Sequence, residues 1–203
     1  MRLQVDTPAP QFILASASSR RRELLDQAGL IYQVKPAHID ESVVPDESPG
    51  DYVVRIATLK ANKARSGDTS QLPVLAADTA VVLEDRIFGK PADVEHAIDM
   101  LGSLSGRTHQ VMTAVVLLAR DGEEFKALNT SRVTFAKLDP GWIEAYCASG
   151  EPLDKAGGYA IQGLAAEVIS RLEGSYSGVM GLPLFETLRM LRKAGIRTPV
   201  ALT

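Results

Sequence analysis

The stretch Val74-Leu75-Ala76-Ala77-Asp78-Thr79-Ala80-Val81-Val82-Leu83 decides the reading of this chain. Its residues are apolar or small apart from one ionisable group in the middle, and Glu84-Asp85-Arg86 ends it. A short Val- and Leu-rich run closed by a polar cluster predicts a buried strand. Burying Asp78 as a lone anion costs on the order of several kcal/mol unless a cation, a set of hydrogen bonds or a bound metal compensates it. Two readings follow. Asp78 pins a loop by accepting backbone N–H groups, or it is a metal ligand or general base at the floor of a cleft.

Upstream, the strand Phe12-Ile13-Leu14-Ala15 feeds a polar turn, Ser16-Ala17-Ser18-Ser19-Arg20-Arg21-Arg22. A helix follows, with Leu24, Leu25 and Ala28 at helical spacing and Gly29 as its stop. Hydroxyls, N-terminal N–H groups and three arginines meet in this turn. A helix N-terminus attracts anions, and arginine grips phosphate with two prongs. Arginines in a first turn oppose the helix dipole, a liability that an anionic ligand removes. The plainer reading is a solvated basic face. Ile31 to Val34 reads as a second strand, and the acids Asp40 and Glu41 follow in a polar loop.

Ser48-Pro49-Gly50-Asp51 carries the marks of a helix start, a serine cap with proline at the first position. That helix is expected to reach about Ser66, with Gly67 ending it. Val53, Ile56, Ala57, Lys60 and Ala64 form its inner stripe. Lys60 on an apolar stripe either snorkels to solvent or reaches into a cleft as a phosphate ligand. Beyond the Asp78 strand, Ile87-Phe88-Gly89-Lys90-Pro91 reads as a returning hairpin arm. Asp93 caps a helix with Val94, Ala97, Ile98 and Leu101 inward. A strand over Val111 to Leu118, a turn at Asp121-Gly122 and a strand over Ala127 to Ala136 come next. Asp139-Pro140 starts a helix with Trp142, Ile143, Tyr146 and Cys147 inward. The segment Glu151 to Gly163 is glycine-rich and irregular. It carries Lys155 and Gln162, whose amide can read a base edge, and it contains no phosphate-loop pattern. Leu164 to Leu172 is expected to be the last strand, Gly174 to Gly178 a loop, and Pro183 to Gly195 the last helix. Helices mixed with crossovers and hairpins predict an α/β domain with a mixed sheet.

The 203 residues suit one domain, 45% hydrophobic and 23% charged. A net charge of −3 supplies no basic field for nucleic acid, so an anionic ligand needs a local cluster of Lys and Arg. One cysteine, Cys147, excludes an internal disulfide and suits a reducing compartment. The opening residues carry no signal-peptide pattern and no apolar run is long enough to span a membrane, so a cytoplasmic location is expected. His38, His96 and His109 show no zinc-ligand spacing.

Taken together, Ser16-x-Ser18-x-Arg20-Arg21, Asp40-Glu41, Lys60, Ala77-Asp78-Thr79, Gly89-Lys90-Pro91, Leu104-Ser105-Gly106-Arg107-Thr108, Glu151-Pro152-x-Asp154-Lys155-Ala156-Gly157 and Gly181-Leu182-Pro183 resemble the Maf family in order and spacing. The resemblance runs from about Ile13 to Leu191. It implies a nucleoside triphosphate pyrophosphatase with an elongated mixed sheet flanked by helices, two lobes and a central cleft, similar to the inosine triphosphatase type. It implies a single domain, with residues 1–11 as a tail, and a homodimer, since family members are often dimeric. Ala77-Asp78-Thr79, Asp154 to Gly157 and Ile161-Gln162-Gly163 resemble the class acting on dTTP and UTP. That likeness assigns Asp78 as proton acceptor and ties Arg20, Thr79 and Gln162 to base choice. On this reading Ser16, Arg20, Lys60 and Lys90 bind phosphates, while Glu41 and Asp78 hold Mg²⁺ or Mn²⁺. Three alternatives stay open: the sister specificity for 7-methyl-GTP, a preference for modified pyrimidine triphosphates, and a nucleotide-sensing module linked to cell division that binds without turnover.

Overall fold

Parallel pairing at one end of the sheet and antiparallel pairing at the other organise the molecule. The computed structural model describes residues 9–66 and 68–200. The strands are β1 (Phe12–Leu14), β2 (Tyr32–Val34), β3 (Val74–Leu83), β4 (Arg86–Phe88), β5 (Thr108–Leu118), β6 (Glu124–Phe135) and β7 (Ile169–Glu173). The helices are α1 (Ser19–Gln27), α2 (Pro49–Ser66), α3 (Val94–Leu104), α4 (Pro140–Ala148), α5 (Tyr176–Met180) and α6 (Leu184–Lys193). The sheet runs β2-β1-β3-β5-β6-β7, with β4 also against β3. β1 lies parallel to both β2 and β3, and the other pairs are antiparallel. The expected mixed sheet flanked by helices is the architecture observed.

One edge of β3 is shared between two short strands. β1 registers against Val74 and Leu75, and β4 against Val81, Val82 and Leu83. Among the described residues no strand is registered opposite residues 76–80 on that edge. The other edge of β3 pairs with β5 from Val74 to Val82 without a break. The strand is therefore anchored along its length, yet open on one side at Asp78 and Thr79.

Successive strand residues point to opposite faces. On one face Val74, Ala76, Ala80 and Val82 pack against Val53, Ile56, Ala57, Ala61 and Ala64 of α2. On the other, Leu75 and Ala77 meet Leu24 and Leu25 of α1 and Met190 and Leu191 of α6. Farther along, Val81 and Leu83 join a third cluster with Leu101, Leu104, Ile143 and Tyr146 from α3 and α4. Asp78 follows the face of α2, and Thr79 follows the opposite face.

Four local expectations change. Leu164–Val168 is a 3₁₀ segment, and strand structure begins only at Ile169. Ala165, Ala166 and Glu167 favour helix over strand, and the Glu151 carboxylate accepts the Leu164 N–H at 3.2 Å. The Gly174 to Gly178 stretch is not a simple loop: Ser175 accepts the Gly178 N–H at 3.0 Å and caps the short helix α5. Val94 opens α3 at 42% exposure, so it lies off the inner stripe that holds Ala97, Met100, Leu101 and Leu104. β5 begins at Thr108, three residues before the expected start, because its register against Thr134 extends that far. Of the expected leading tail, Gln11 is tied to the body through its N–H to the Ile31 carbonyl at 2.9 Å. The expected stop at Gly67 lies outside the described residues.

His109 on β5 is 2% exposed and sits edge-on to Phe135 and Tyr159. Its Nε2 lies 2.7 Å from the Tyr159 hydroxyl, while Nδ1 has no hydrogen-bond partner. Burial pushes its pKa from an ordinary 6.5 down to about 4. The unfolded chain therefore binds a proton here that the folded one refuses. Full stability is present above about pH 6.5 and is lost as pH falls toward 4. Urea unfolding at stepped pH is expected to show this slope in the wild type and a flatter one in His109→Gln.

Candidate active site

The open edge of β3 is the floor of a cleft of about 450 Å³. Its walls come from the β1–α1 turn, the loop before α2, α2 itself, the loop after β4, the segment 154–162 and the end of α5. Ser16, Arg20, Glu41, Lys60, Asp78, Thr79, Lys90 and Gln162 all line it. Residues far apart in the chain thus converge on one pocket.

On the α2 side, Lys60 reaches inward. Its ammonium lies 2.7 Å from Asp78 Oδ1 and 2.9 Å from Glu41 Oε1. The helical stripe of α2 aims Lys60 at this face, and the two carboxylates supply the partners that a half-buried cation needs. Asp78 is 5% exposed. Burial, the largest influence, raises its pKa; Lys60 and Arg21 pull it back down, and Glu41 raises it again. The Tyr52 hydroxyl donates to the Glu41 backbone carbonyl at 3.0 Å and holds the acidic loop against α2. Burial, with Asp78 and Glu41 adding to it, pushes the Tyr52 phenol up to about 12. The phosphate role expected for Lys60 is therefore joined by a second one, clamping the acids.

On the other side, the turn after β1 is built around Arg21. The sequence singled out Arg20 and gave Arg21 no role, yet Arg21 is the buried one, 9% exposed. Its Nε donates to the Gly181 carbonyl at 2.8 Å, Nη1 to Ser16 Oγ at 3.0 Å and Nη2 to Thr79 Oγ1 at 3.2 Å. Burial lowers its pKa, Asp78 opposes that, and Arg20 adds to it. The missed signal was periodicity: Arg21, Leu24 and Leu25 share the buried stripe of α1. Ser18 caps the helix by accepting the Arg21 N–H.

Arg20 turns instead to the cleft mouth, where Nη1 meets Asp154 Oδ2 at 3.2 Å. Lys155 pairs with the same carboxylate at 2.5 Å and donates to the Glu151 carbonyl at 2.6 Å. Burial raises the pKa of Asp154, but the hydrogen bond from Lys155 and the charges of Arg20 and Lys155 outweigh it and hold the pKa low. The segment is folded by close backbone approach. Gly157 has φ +69°, and a Cβ there would lie 2.7 Å from Val81 Cγ2. Its N–H donates to the Gly89 carbonyl at 3.0 Å, which fixes the Lys90 loop beside Lys155. Gln162 stands exposed on this wall, two residues before Leu164, whose N–H donates to the Glu151 carboxylate at 3.2 Å.

Among the described residues, no group of three or more His, Cys, Asp and Glu side chains is arranged to hold a metal ion. Glu41 and Asp78, within reach of one ammonium nitrogen, are nevertheless a donor set that suits Mg²⁺ or Mn²⁺. Such ions bind through one or two carboxylates and take remaining oxygens from water and substrate phosphates.

One cleft thus joins a buried acid on one face to a guanidinium-organised turn on the other. Residues 11–194 match the family described as Maf-like protein, and the chain belongs to that family. A relative from Nitrosomonas europaea, named dTTP/UTP pyrophosphatase, is 50% identical over 203 residues, covering 94% of this chain and 98% of that protein. One of the same name from Methylococcus capsulatus is 52% identical over 188 residues, covering 93% of each. Among solved structures, the Staphylococcus aureus Ham1 protein aligns over 89% of this chain and 98% of its own at 16% identity, with a TM-score of 0.49.

Replacing Lys60 with Met removes the cation nearest Asp78. The Asp78 pKa is then expected to rise, because the carboxylate keeps its burial and loses its main counter-charge. Carboxyl NMR titration of wild type and Lys60→Met checks this, and an unmoved or lowered midpoint contradicts the clamp.

Proposed function

We propose that this protein hydrolyses dTTP and UTP to the nucleoside monophosphate and pyrophosphate. The observation that carries the reading is half-identity over nearly the whole chain to relatives named dTTP/UTP pyrophosphatase. The cleft supplies groups suited to that chemistry.

The substrate is a polyanion, so catalysis is mainly positioning and charge neutralisation. Arg20, Lys90, Lys60 and the Ser16 hydroxyl line the cleft and bind the phosphate oxygens. A divalent cation held by Glu41 and Asp78 would neutralise phosphate charge and lower the pKa of a bound water. Asp78 accepts the proton of the attacking water. Its burial raises its pKa and makes it a stronger base than an exposed aspartate, and Lys60 opposes that rise. Oxygen attacks the α-phosphorus, the bond from that phosphorus to the oxygen bridging to the β-phosphate breaks, and pyrophosphate leaves with the bridging oxygen. Thr79 and Gln162 face the base, with Arg20 serving both ends.

The same reading sets the reaction in the cytoplasm and allows a homodimer, which sedimentation analysis tests. Among the described residues, no helix is long and apolar enough to cross a membrane.

Pyrophosphate release from a panel of dTTP, UTP, CTP, 7-methyl-GTP and 5-methyl-UTP is expected to favour the uracil and thymine nucleotides. It is expected to vanish with a chelator and return with Mg²⁺ or Mn²⁺. Asp78→Asn is expected to lose at least about a thousandfold in kcat with an unchanged circular dichroism spectrum. Near-normal turnover by a folded Asp78→Asn rejects the proton-acceptor role, and binding without turnover by the wild type rejects the enzyme.

A further inference from the structure

Beneath Thr79 lies a chain of hydroxyls whose proton directions are forced. The antiparallel register puts Thr113 of β5 directly opposite Thr79 of β3, on the same face. Thr113 is fully buried. Its Oγ1 lies 2.8 Å from the Gly178 carbonyl and 2.9 Å from Thr79 Oγ1. A carbonyl oxygen only accepts, so the one hydroxyl proton of Thr113 is committed to Gly178. Thr79 must then donate its own proton to Thr113. Arg21 Nη2 donates to Thr79 Oγ1 at 3.2 Å and takes one of its two lone pairs. What remains for a ligand is one lone pair: Thr79 faces the cleft as an acceptor only.

Ser16 is wired the opposite way by the same arginine. Its Oγ accepts from Arg21 Nη1 at 3.0 Å and from the Ser18 N–H at 3.2 Å. Both lone pairs are used, and its O–H is left to donate. Phosphate oxygens only accept when fully ionised, so Ser16 suits the phosphate tail and Thr79 does not.

We infer that Thr113 is a positioning residue for base choice: by taking the Thr79 proton it makes Thr79 read the imino N–H of a uracil or thymine ring and refuse the lone pair that cytosine carries at that ring position. The wiring depends on α5 packing against β5 and β6, which brings the Gly178 carbonyl to Thr113. Gly178 allows this, since a Cβ there would sit 2.5 Å from Asn129 Oδ1. The inference rests on the pyrimidine triphosphate reading and adds the origin of its discrimination against CTP. A site whose buried group is left facing a like partner rejects the ligand.

The test compares kcat/KM for UTP and CTP in the wild type, Thr113→Val, Thr113→Ser and Thr79→Val. In Thr113→Val no hydroxyl is left to take the proton, so Thr79 becomes free to donate. The CTP-to-UTP ratio is expected to rise about tenfold in Thr113→Val and to stay near the wild-type ratio in Thr113→Ser. A folded Thr113→Val with an unchanged ratio overturns the inference. If Thr113→Val does not fold, Thr79→Val decides: UTP is expected to lose about tenfold while CTP holds steady. Equal losses for both nucleotides would mean that Thr79 meets the sugar or phosphates, and would overturn it. Absence of pyrophosphate release from UTP by the wild type is a different result, which removes the enzymatic reading itself.

Discussion

The incomplete edge of β3 is the constraint on which the rest depends. A strand buried in a sheet ordinarily engages both rows of backbone groups with neighbours. Here β1 covers one end of an edge and β4 the other, and among the described residues no strand faces residues 76–80 between them. The other edge is held by a continuous ladder to β5 from Val74 to Val82. Side chains from both faces of one strand can therefore reach a single cavity. Asp78 arrives from the α2 face and Thr79 from the opposite face, adjacent in sequence but surrounded by different chemistry.

That division explains why the pocket has two characters. The α2 side holds an ammonium between two carboxylates. The opposite side is organised by Arg21, which touches the first turn, the floor and the end of α5 through three separate hydrogen bonds. A substrate with a charged tail and a neutral, hydrogen-bonding ring matches such a pocket. The Arg20–Asp154–Lys155 cluster joins the walls at the mouth.

Much of this was legible in the residues. The buried run around Asp78, the strand-turn-helix after Phe12 and the serine-capped start of α2 each carry strong local signals, and the structure keeps all three. Lys60 on an apolar stripe was visible too, although its double engagement depends on a loop whose path no local pattern sets. Arg21 was hidden by its neighbours: three arginines in a row look alike until helical phase separates the inward one. Thr113 was invisible because its meaning comes from cross-strand register, a long-range property. The stretch from Leu164 misread for a related reason. Its apolar residues fit a strand, but a carboxylate thirteen residues upstream fixes the first N–H of a 3₁₀ turn.

Count the formal charges on four side chains that line the pocket, Lys60 and Arg21 against Glu41 and Asp78. They cancel. Those four side chains thus carry no net formal charge among themselves, with Lys60 between the two carboxylates and Arg21 on neutral oxygens. A visiting polyanion does not fill a hole in this ledger; it swaps into it. The strength with which the site holds its guests is therefore set by the difference between two sets of partners, old and new.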